Sequence, residues 1–450
     1  MSPTTEGRLP PEENRRIFRE QIAPVYLDDC TPQQAPVVVI VAGQTGAGKT
    51  AVTRMVKDTL ERSGEVAWIN MDFYNPHHPD YARWQAERPQ EADALVRPDG
   101  DAWWEQAQQY ALERGFHILL ESAMVTPDEY ENICRRIQSA PLPPGVAPYR
   151  IETAFVAVPG PVSRLGIMSR YLEELQERGH GRLVDPAIHD AALAGVVRGA
   201  AAFEAEGLGD YAAVLRRNGS TVHSQPITAG QSTPEDQLAL VAAIRSEHAR
   251  VQSPAEAAQF AARHAAATLI APDFAMPELE YIAQAAAPLL PSPTAPWREV
   301  SARAAQLRGA APAGPDPTLA AHSDADVVQL LAHTLVDRHA ALSAGTAQTA
   351  GRREAATERL LGELARRATL TPDERAQEQQ QRQVLHTAAH RAVSEPGSAL
   401  PARPSAAAAR SRSTTVTRSS GDGHGPATRP SPAVVPRPGR SPEQGRGRGR

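Results

Sequence analysis

The sequence predicts an α/β protein: a three-layer domain on a mostly parallel sheet, then an α-helical region, then a disordered tail. Three observations predict this. The run "PVVVIVA" at Pro36–Ala42 is apolar and β-branched without a break, the pattern of a strand buried on both faces. Apolar strand patterns then alternate with helix patterns to about residue 225, which predicts parallel strands joined by crossover helices. Beyond that point the composition turns Ala-, Gln- and Arg-rich, and from Pro396 it becomes Ser, Pro, Gly, Arg and Ala without period.

The elements follow in order. "PEENRRIFREQIAPVYL" reads as a helix with acids near its start and apolar residues at Ile17, Ile22 and Val25. A linker rich in Pro and Gln leads to the first strand, so residues 1–36 are a helix and linker. "KTAVTRMVKDTLERSG" is a helix closed by Gly64, and "EVAWINM" is a second strand. "DGDAWWEQAQQYALERG" is a helix, "FHILLES" a third strand, "RRIQSAP" the end of another helix, and "YRIETAFVAV" a fourth strand. Two long helices, "PVSRLGIMSRYLEELQERG" and "DPAIHDAALAGVVRGAAAFEAEG", precede a last strand and turn, "DYAAVLRRNG". This bounds the α/β domain at 37–225. The region 226–395 is read as helical and partly loosely packed. "STPEDQLALVAAIRSEHARV" offers Ser232 or Thr233 as cap, and "TPDERAQEQQQRQVLHTAAHRAV" is a polar helix with little to bury. Residues 396–450 cannot bury enough apolar surface to order.

Composition narrows the class. No run reaches 18 apolar residues and the N-terminus has no signal-peptide core, so the expectation is a cytoplasmic protein with no membrane contact. Cys30 and Cys134 are far apart and fit no metal spacing, so both are expected to be plain buried thiols. The net charge is −5, but the tail carries ten Arg against Asp422 and Glu443, which leaves the body near −13. An acidic body is not a general nucleic-acid surface, and the "GRGRGR" end reads as a solvated tail. Lysine occurs only at Lys49 and Lys57. A chain that has nearly discarded lysine keeps one inside its glycine loop.

That loop, Gly43-Gln44-Thr45-Gly46-Ala47-Gly48-Lys49-Thr50, fits GxxxxGK[ST] and sits between a buried strand and a helix. Small residues let backbone N–H groups turn inward around phosphates, and the helix N-terminus adds its dipole. Lys49 would neutralise the β- and γ-phosphates, and the Thr50 hydroxyl would complete a magnesium shell. The domain is therefore expected to be P-loop kinase-like. Asp72 directly follows the second strand in "INMDFYNPHHPDY", where a carboxylate can take a hydroxyl proton, although aspartate there also caps turns. His77 and His78 have no third ligand in view, and a structural hydrogen bond from His78 beside Pro79 is expected. Glu121 ends the third strand and could hold magnesium or a substrate hydroxyl. Arg170, Arg178 and Arg182 could stabilise a transferred phosphoryl group, but helix position selects none of them.

Together these residues resemble the zeta toxin family, bacterial kinases paired with a neutralising antitoxin. The resemblance runs from about Glu12 to Gly219. It is carried by "GQTGAGKT", by "MDFYNPHHPDY" as a version of D-x-[FY]-R-x-x-H-P-x-[FY], by "ILLESAM", and by "AVPGPVSRLGIMSRYLEEL" with "GRLVDPAIHD". It implies ATP- and Mg2+-dependent phosphorylation of the 3′-hydroxyl of the amino sugar in UDP-N-acetylglucosamine, with cell-wall precursor poisoning as the result. By resemblance Asp72 is the base, Lys49 and Thr50 serve the phosphates and the metal, Glu121 and His78 belong to the substrate side, and Arg170 and Arg182 contact ATP phosphates. Three positions depart from the pattern: Thr45 stands for Pro, and Asn75 and Val125 stand where basic residues are common. A kinase of another small hydroxyl compound such as an antibiotic, or a nucleotide-dependent regulatory protein, are the alternatives.

Overall fold

The computed structural model describes residues 7–88, 91–126, 128–228, 238–292, 295–310, 314–394 and 435. Six strands form one sheet: β1 (Val37–Ala42), β2 (Ala67–Ile69), β3 (Ile118–Ser122), β4 (Arg150–Val156), β5 (Tyr211–Leu215) and β6 (Thr221–Pro226). Their order is β2-β3-β1-β4-β5-β6. β1 is central and parallel to both neighbours, with Val41 level with Glu121 and Ala154, and Ala42 level with Ser122 and Phe155. All six residues of β1 are buried, as its unbroken apolar run requires. β6 returns antiparallel to β5 through the turn at Asn218-Gly219, where Gly219 has φ +81°. The sequence reading stopped at that turn. β6 is a half-buried edge strand of mixed composition, and only Asn-Gly announces it.

Helices cover both faces, giving three layers. The short α1 (Pro11–Ile17) and α2 (Ala23–Tyr26) flank a π-helical turn at Phe18–Ile22. They share one core with α5 (Ala92–Leu112), α6 (Glu129–Ser139) and α8 (Pro186–Glu206), over Val38, Ile40, Ala42, Ile118 and Leu120. The alternate residues Val37, Val39 and Val41 face α3 (Lys49–Leu60), through Val52, Val56 and Leu60. α4 (Tyr81–Glu87) packs Trp84 beside the start of α5, and α7 (Gly160–Arg178) follows β4. Both cysteines are buried free thiols, and burial pushes each up to about 12.

The described part of the helical region comprises α9 (Ala239–His248), α10 (Pro254–Ile270), α11 (Met276–Ala286), α12 (Pro296–Leu307), α13 (Asp324–Ser343), α14 (Ala347–Ala368) and α15 (Pro372–Ser394). Its packing is tighter than the composition suggests. Trp297, Val300, Leu331, Leu335 and Leu361 close a separate core against the alanines of α10. Ser253 with Glu256, and Ser323 with Asp326, form capping boxes that start α10 and α13. Glu363 ties Arg366 and Arg367 of α14, and Arg366 reaches Glu378, which docks the polar α15 by charge rather than by apolar burial. A further core joins α7 to α10 and α11 through Leu165, Met168, Leu172, Phe260 and Leu279. The proposed caps Ser232 and Thr233 and the bulk of the tail lie outside the described residues. No helix among the described residues is long and apolar enough to cross a membrane.

Candidate phosphate site and its surroundings

The glycine loop leaves the carboxyl end of β1 and enters α3 at Lys49. Two of its glycines hold conformations that other residues resist. Gly46 has φ +79° and a Cβ there would stand 2.0 Å from the Ser163 carbonyl oxygen; Gly48 has φ +85°. Gly43 is buried beside Val156, and Ala47 is buried beneath the loop. Gln44 is fully buried, its Nε2 donating to Val158 O at 2.6 Å and to Ser163 Oγ at 3.3 Å, so its side chain fastens the loop to α7. Thr45 is half-buried, and Thr50 is exposed at the start of α3. Lys49 Nζ donates to Gly43 O at 2.8 Å. Burial brings Lys49 down to about 8, against the opposing pull of Glu121 and Asp72.

Carboxylates and arginines converge here. Asp72 lies in the 3-10 turn Met71–Phe73 just past β2, its N–H accepted by Asn70 Oδ1 at 3.0 Å. Its carboxylate is 63% exposed and 3.5 Å from Arg182 Nη1. Arg182 Nε also donates to Asp93 at 2.6 Å, so two carboxylates hold it between the Asp72 turn and α5. Glu121 is the penultimate residue of β3, and burial raises its carboxyl while the Lys49 ammonium opposes the rise. Its Oε1 is buried without a hydrogen-bond partner of normal geometry, with Thr53 and Trp68 close by. Arg170 on α7 is half-exposed and 3.8 Å from Glu174. Its charge also acts on Lys49. Lys49, Asp72, Glu121 and Arg170 thus share one electrostatic neighbourhood, and Arg182 joins it through Asp72. Arg178 is exposed at the end of α7.

His78 stands apart from the open side. It is buried, its Nε2 3.1 Å from Gly7 O, its Nδ1 accepting the Asp80 N–H at 3.1 Å, and its ring stacked on Trp84. Asp99 lies 3.6 Å from the same Nε2, and burial with these partners leaves no ring nitrogen for a ligand. Asn75 is buried too, packed against Gly100, so position 75 has no room for a long cation. Val125 is half-buried one residue past Met124, whose φ of +53° marks a constrained turn after β3. A cavity of about 510 Å3 lies elsewhere, between α1 and α5 beside Asp99 and Arg136, away from the strand ends that gather the charged groups.

Three features escaped sequence reasoning. Asp93 sits in a helix that the spacing started at Asp99, seven residues late. Arg217, after β5, donates to Gly46 O at 2.8 Å. A polar chain, buried at Gln44, Ser163 and His189, runs on to the exposed Asp190 and through Arg164 to Glu278 on α11. Only Arg217 had a usable signal, its place at the carboxyl end of a strand.

A parallel sheet of this order, with a glycine loop between its central strand and α3, defines a P-loop kinase-like domain. Residues 25–226 match the family described as Zeta toxin. "Toxin PezT" of Streptococcus pneumoniae is 22% identical over 138 residues, 31% of this chain and 51% of that protein. The chain thus spans about half the length of the curated relative it matches. A solved structure from the PezAT chromosomal toxin-antitoxin system of the same organism aligns at a TM-score of 0.42 and 18% identity, over 52% of this chain and 87% of the other. The family match ends where β6 ends, so α9–α15 lie outside it.

Proposed function

We propose that the protein is an ATP-dependent kinase that phosphorylates the 3′-hydroxyl of the amino sugar of UDP-N-acetylglucosamine. The observation that carries this reading is the exposed Asp72 carboxylate beyond β2, within the field of the Lys49 that closes the glycine loop. A switch protein has no need of a free base on that side, whereas an alcohol acceptor does.

In this reading the loop N–H groups of Gly43–Thr50 and the Lys49 ammonium grip the β- and γ-phosphates. Asp72 accepts the hydroxyl proton as the sugar oxygen bonds to the γ-phosphorus. The bond from that phosphorus to the β–γ bridging oxygen breaks, its electron pair leaving with ADP. Arg170 and Arg182 meet the charge on the transferred group; Arg182 exchanges its hold on Asp72 and Asp93 to do so. Glu121 binds the acceptor side, and His78, locked between Gly7 and Trp84, positions the Asp72 turn. The residues fit magnesium: the Thr50 hydroxyl and the Glu121 oxygen that lacks a hydrogen-bond partner are hard oxygen donors that would hold it. When bound it would neutralise charge on the β- and γ-oxygens.

The product can no longer serve as a cell-wall precursor, which would make the protein a toxin acting in the cytoplasm, held in check by an antitoxin. The match to a zeta toxin domain and the likeness to a protein named as a toxin support this. A second reading keeps the chemistry and changes the acceptor to another small hydroxyl compound. It is favoured by Val125, uncharged and half-buried just after β3, where the resemblance expects a cation. Transfer of labelled γ-phosphate to a panel of sugars, nucleotide sugars and aminoglycoside-type alcohols decides between them. Labelling of UDP-N-acetylglucosamine above all others supports the first reading, and labelling of another acceptor alone replaces it with the second.

A further inference from the structure

One cation stands beside the glycine loop without an anion. Arg217 follows β5, at the end of the sheet where ligands of parallel strands gather. Its neighbour Arg216 is paired, donating to Glu247 at 2.9 and 2.8 Å. Arg217 donates through Nη2 to the Gly46 carbonyl at 2.8 Å, and no carboxylate among the described residues pairs with it. The charge that acts on it is another cation, Arg263 of α10. Burial and that neighbour bring its guanidinium down to about 10. A desolvated cation facing a like charge is unfavourable unless something else uses it.

The surroundings make room for the group. A Cβ at Gly48 would stand 2.6 Å from Arg217 Nε, and one at Gly166 of α7 would stand 2.9 Å from Nη2. The guanidinium is therefore slotted between the loop and α7. In a phosphate-binding loop the N–H groups turn inward and the carbonyls outward. A side chain bonded to the Gly46 carbonyl thus lies just past the cradle. The part of a nucleotide that leaves the cradle is its sugar and flat base.

We propose that Arg217 forms one wall of the base site, its planar guanidinium stacking on the nucleotide base while Nη2 steadies Gly46. Guanidinium planes stack on aromatic faces, and a base offers such a face whatever its identity. The proposal rests on the nucleotide reading above and adds to it the residue that tells a nucleoside triphosphate from bare triphosphate.

The test is equilibrium binding of magnesium-ATP and of magnesium-tripolyphosphate to the full chain, to Arg217→Ala and to Arg217→Lys, with Lys49→Met as control. Arg217→Ala should weaken ATP about tenfold and leave tripolyphosphate within about twofold. Arg217→Lys keeps a donor for Gly46 but loses the plane, so it should weaken ATP by a smaller factor; it carries the comparison alone if the alanine variant does not fold. Equal losses for both ligands would make Arg217 a support of the loop and overturn the proposal. So would unchanged ATP affinity in both variants. If neither ligand binds the unaltered chain and Lys49→Met changes nothing, the nucleotide reading itself falls, and the base site with it.

Discussion

The two halves of the site are built from different material. The phosphate half is mostly backbone: a loop whose shape depends on Gly46 and Gly48 at positive φ and is fastened by the buried Gln44. In the proposed reading the acceptor half is side chains from distant elements, with Asp72 past β2 and Glu121 on β3. A backbone site constrains residue type at fixed spacing, so it leaves a readable pattern. A side-chain site constrains positions in space, and a substitution such as Val125 changes its charge without disturbing the fold. Phosphate handling should therefore be the fixed property of this molecule and acceptor choice the adjustable one.

The largest effect separates the halves outright. Asp72→Asn should lower the transfer rate by about 10²–10⁴-fold, measured as product per enzyme at saturating substrate. ATP affinity should stay within about twofold; a parallel loss of ATP binding would show that the halves are not independent. Gly46→Ala is the converse. Its Cβ would meet the Ser163 carbonyl at 2.0 Å in a conformation alanine disfavours by about 1–2 kcal/mol, so ATP affinity should fall at least about tenfold in calorimetry. Binding of the acceptor should be untouched.

A third effect depends on pH. Lys49 in the free protein sits near 8, below its ordinary 10.5, so its ammonium form prevails below pH 8 and is lost above. ATP affinity should drop by about tenfold between pH 7 and pH 9, and Lys49→Met should flatten that dependence. A profile unchanged by the substitution would place the titration elsewhere. The smallest effect sharpens the acceptor half. Val125→Arg returns a cation to a half-buried position and should lower the KM for UDP-N-acetylglucosamine a few-fold, about 1 kcal/mol, with the KM for ATP unchanged. A fall in the KM for ATP instead would assign that position to the phosphate half.

The same contrast explains what could be read in advance. β1, the glycine loop and α3 were legible because burial on both faces and phosphate geometry each force a local pattern. β6 was not, because a half-buried edge strand needs no alternation, and "TVHSQP" has none. The helical region looked loose because its apolar residues are alanines. Alanines let α10 approach α12 and α13 closely around Trp297 and Leu331. Asp72 and Glu121 could be proposed from their places at strand ends. Arg170 and Arg182 could not be chosen over Arg178 by helix position; Asp93 depends on its distant contact with Arg182, and the Gln44-to-Glu278 chain on contacts across more than a hundred residues. The sequence reading gave His78 a structural hydrogen bond, which the structure supplies, and by resemblance a place on the substrate side, which its burial and its engaged ring nitrogens contradict.

The most direct test of the central claim is a mass measurement. The purified protein would be incubated with ATP, magnesium and UDP-N-acetylglucosamine, and the nucleotide sugar weighed before and after. The account predicts a species heavier by one phosphate on the sugar, made by the unaltered chain and missing with Asp72→Asn. An unmodified nucleotide sugar, while ATP binds with full dependence on Lys49, would contradict it.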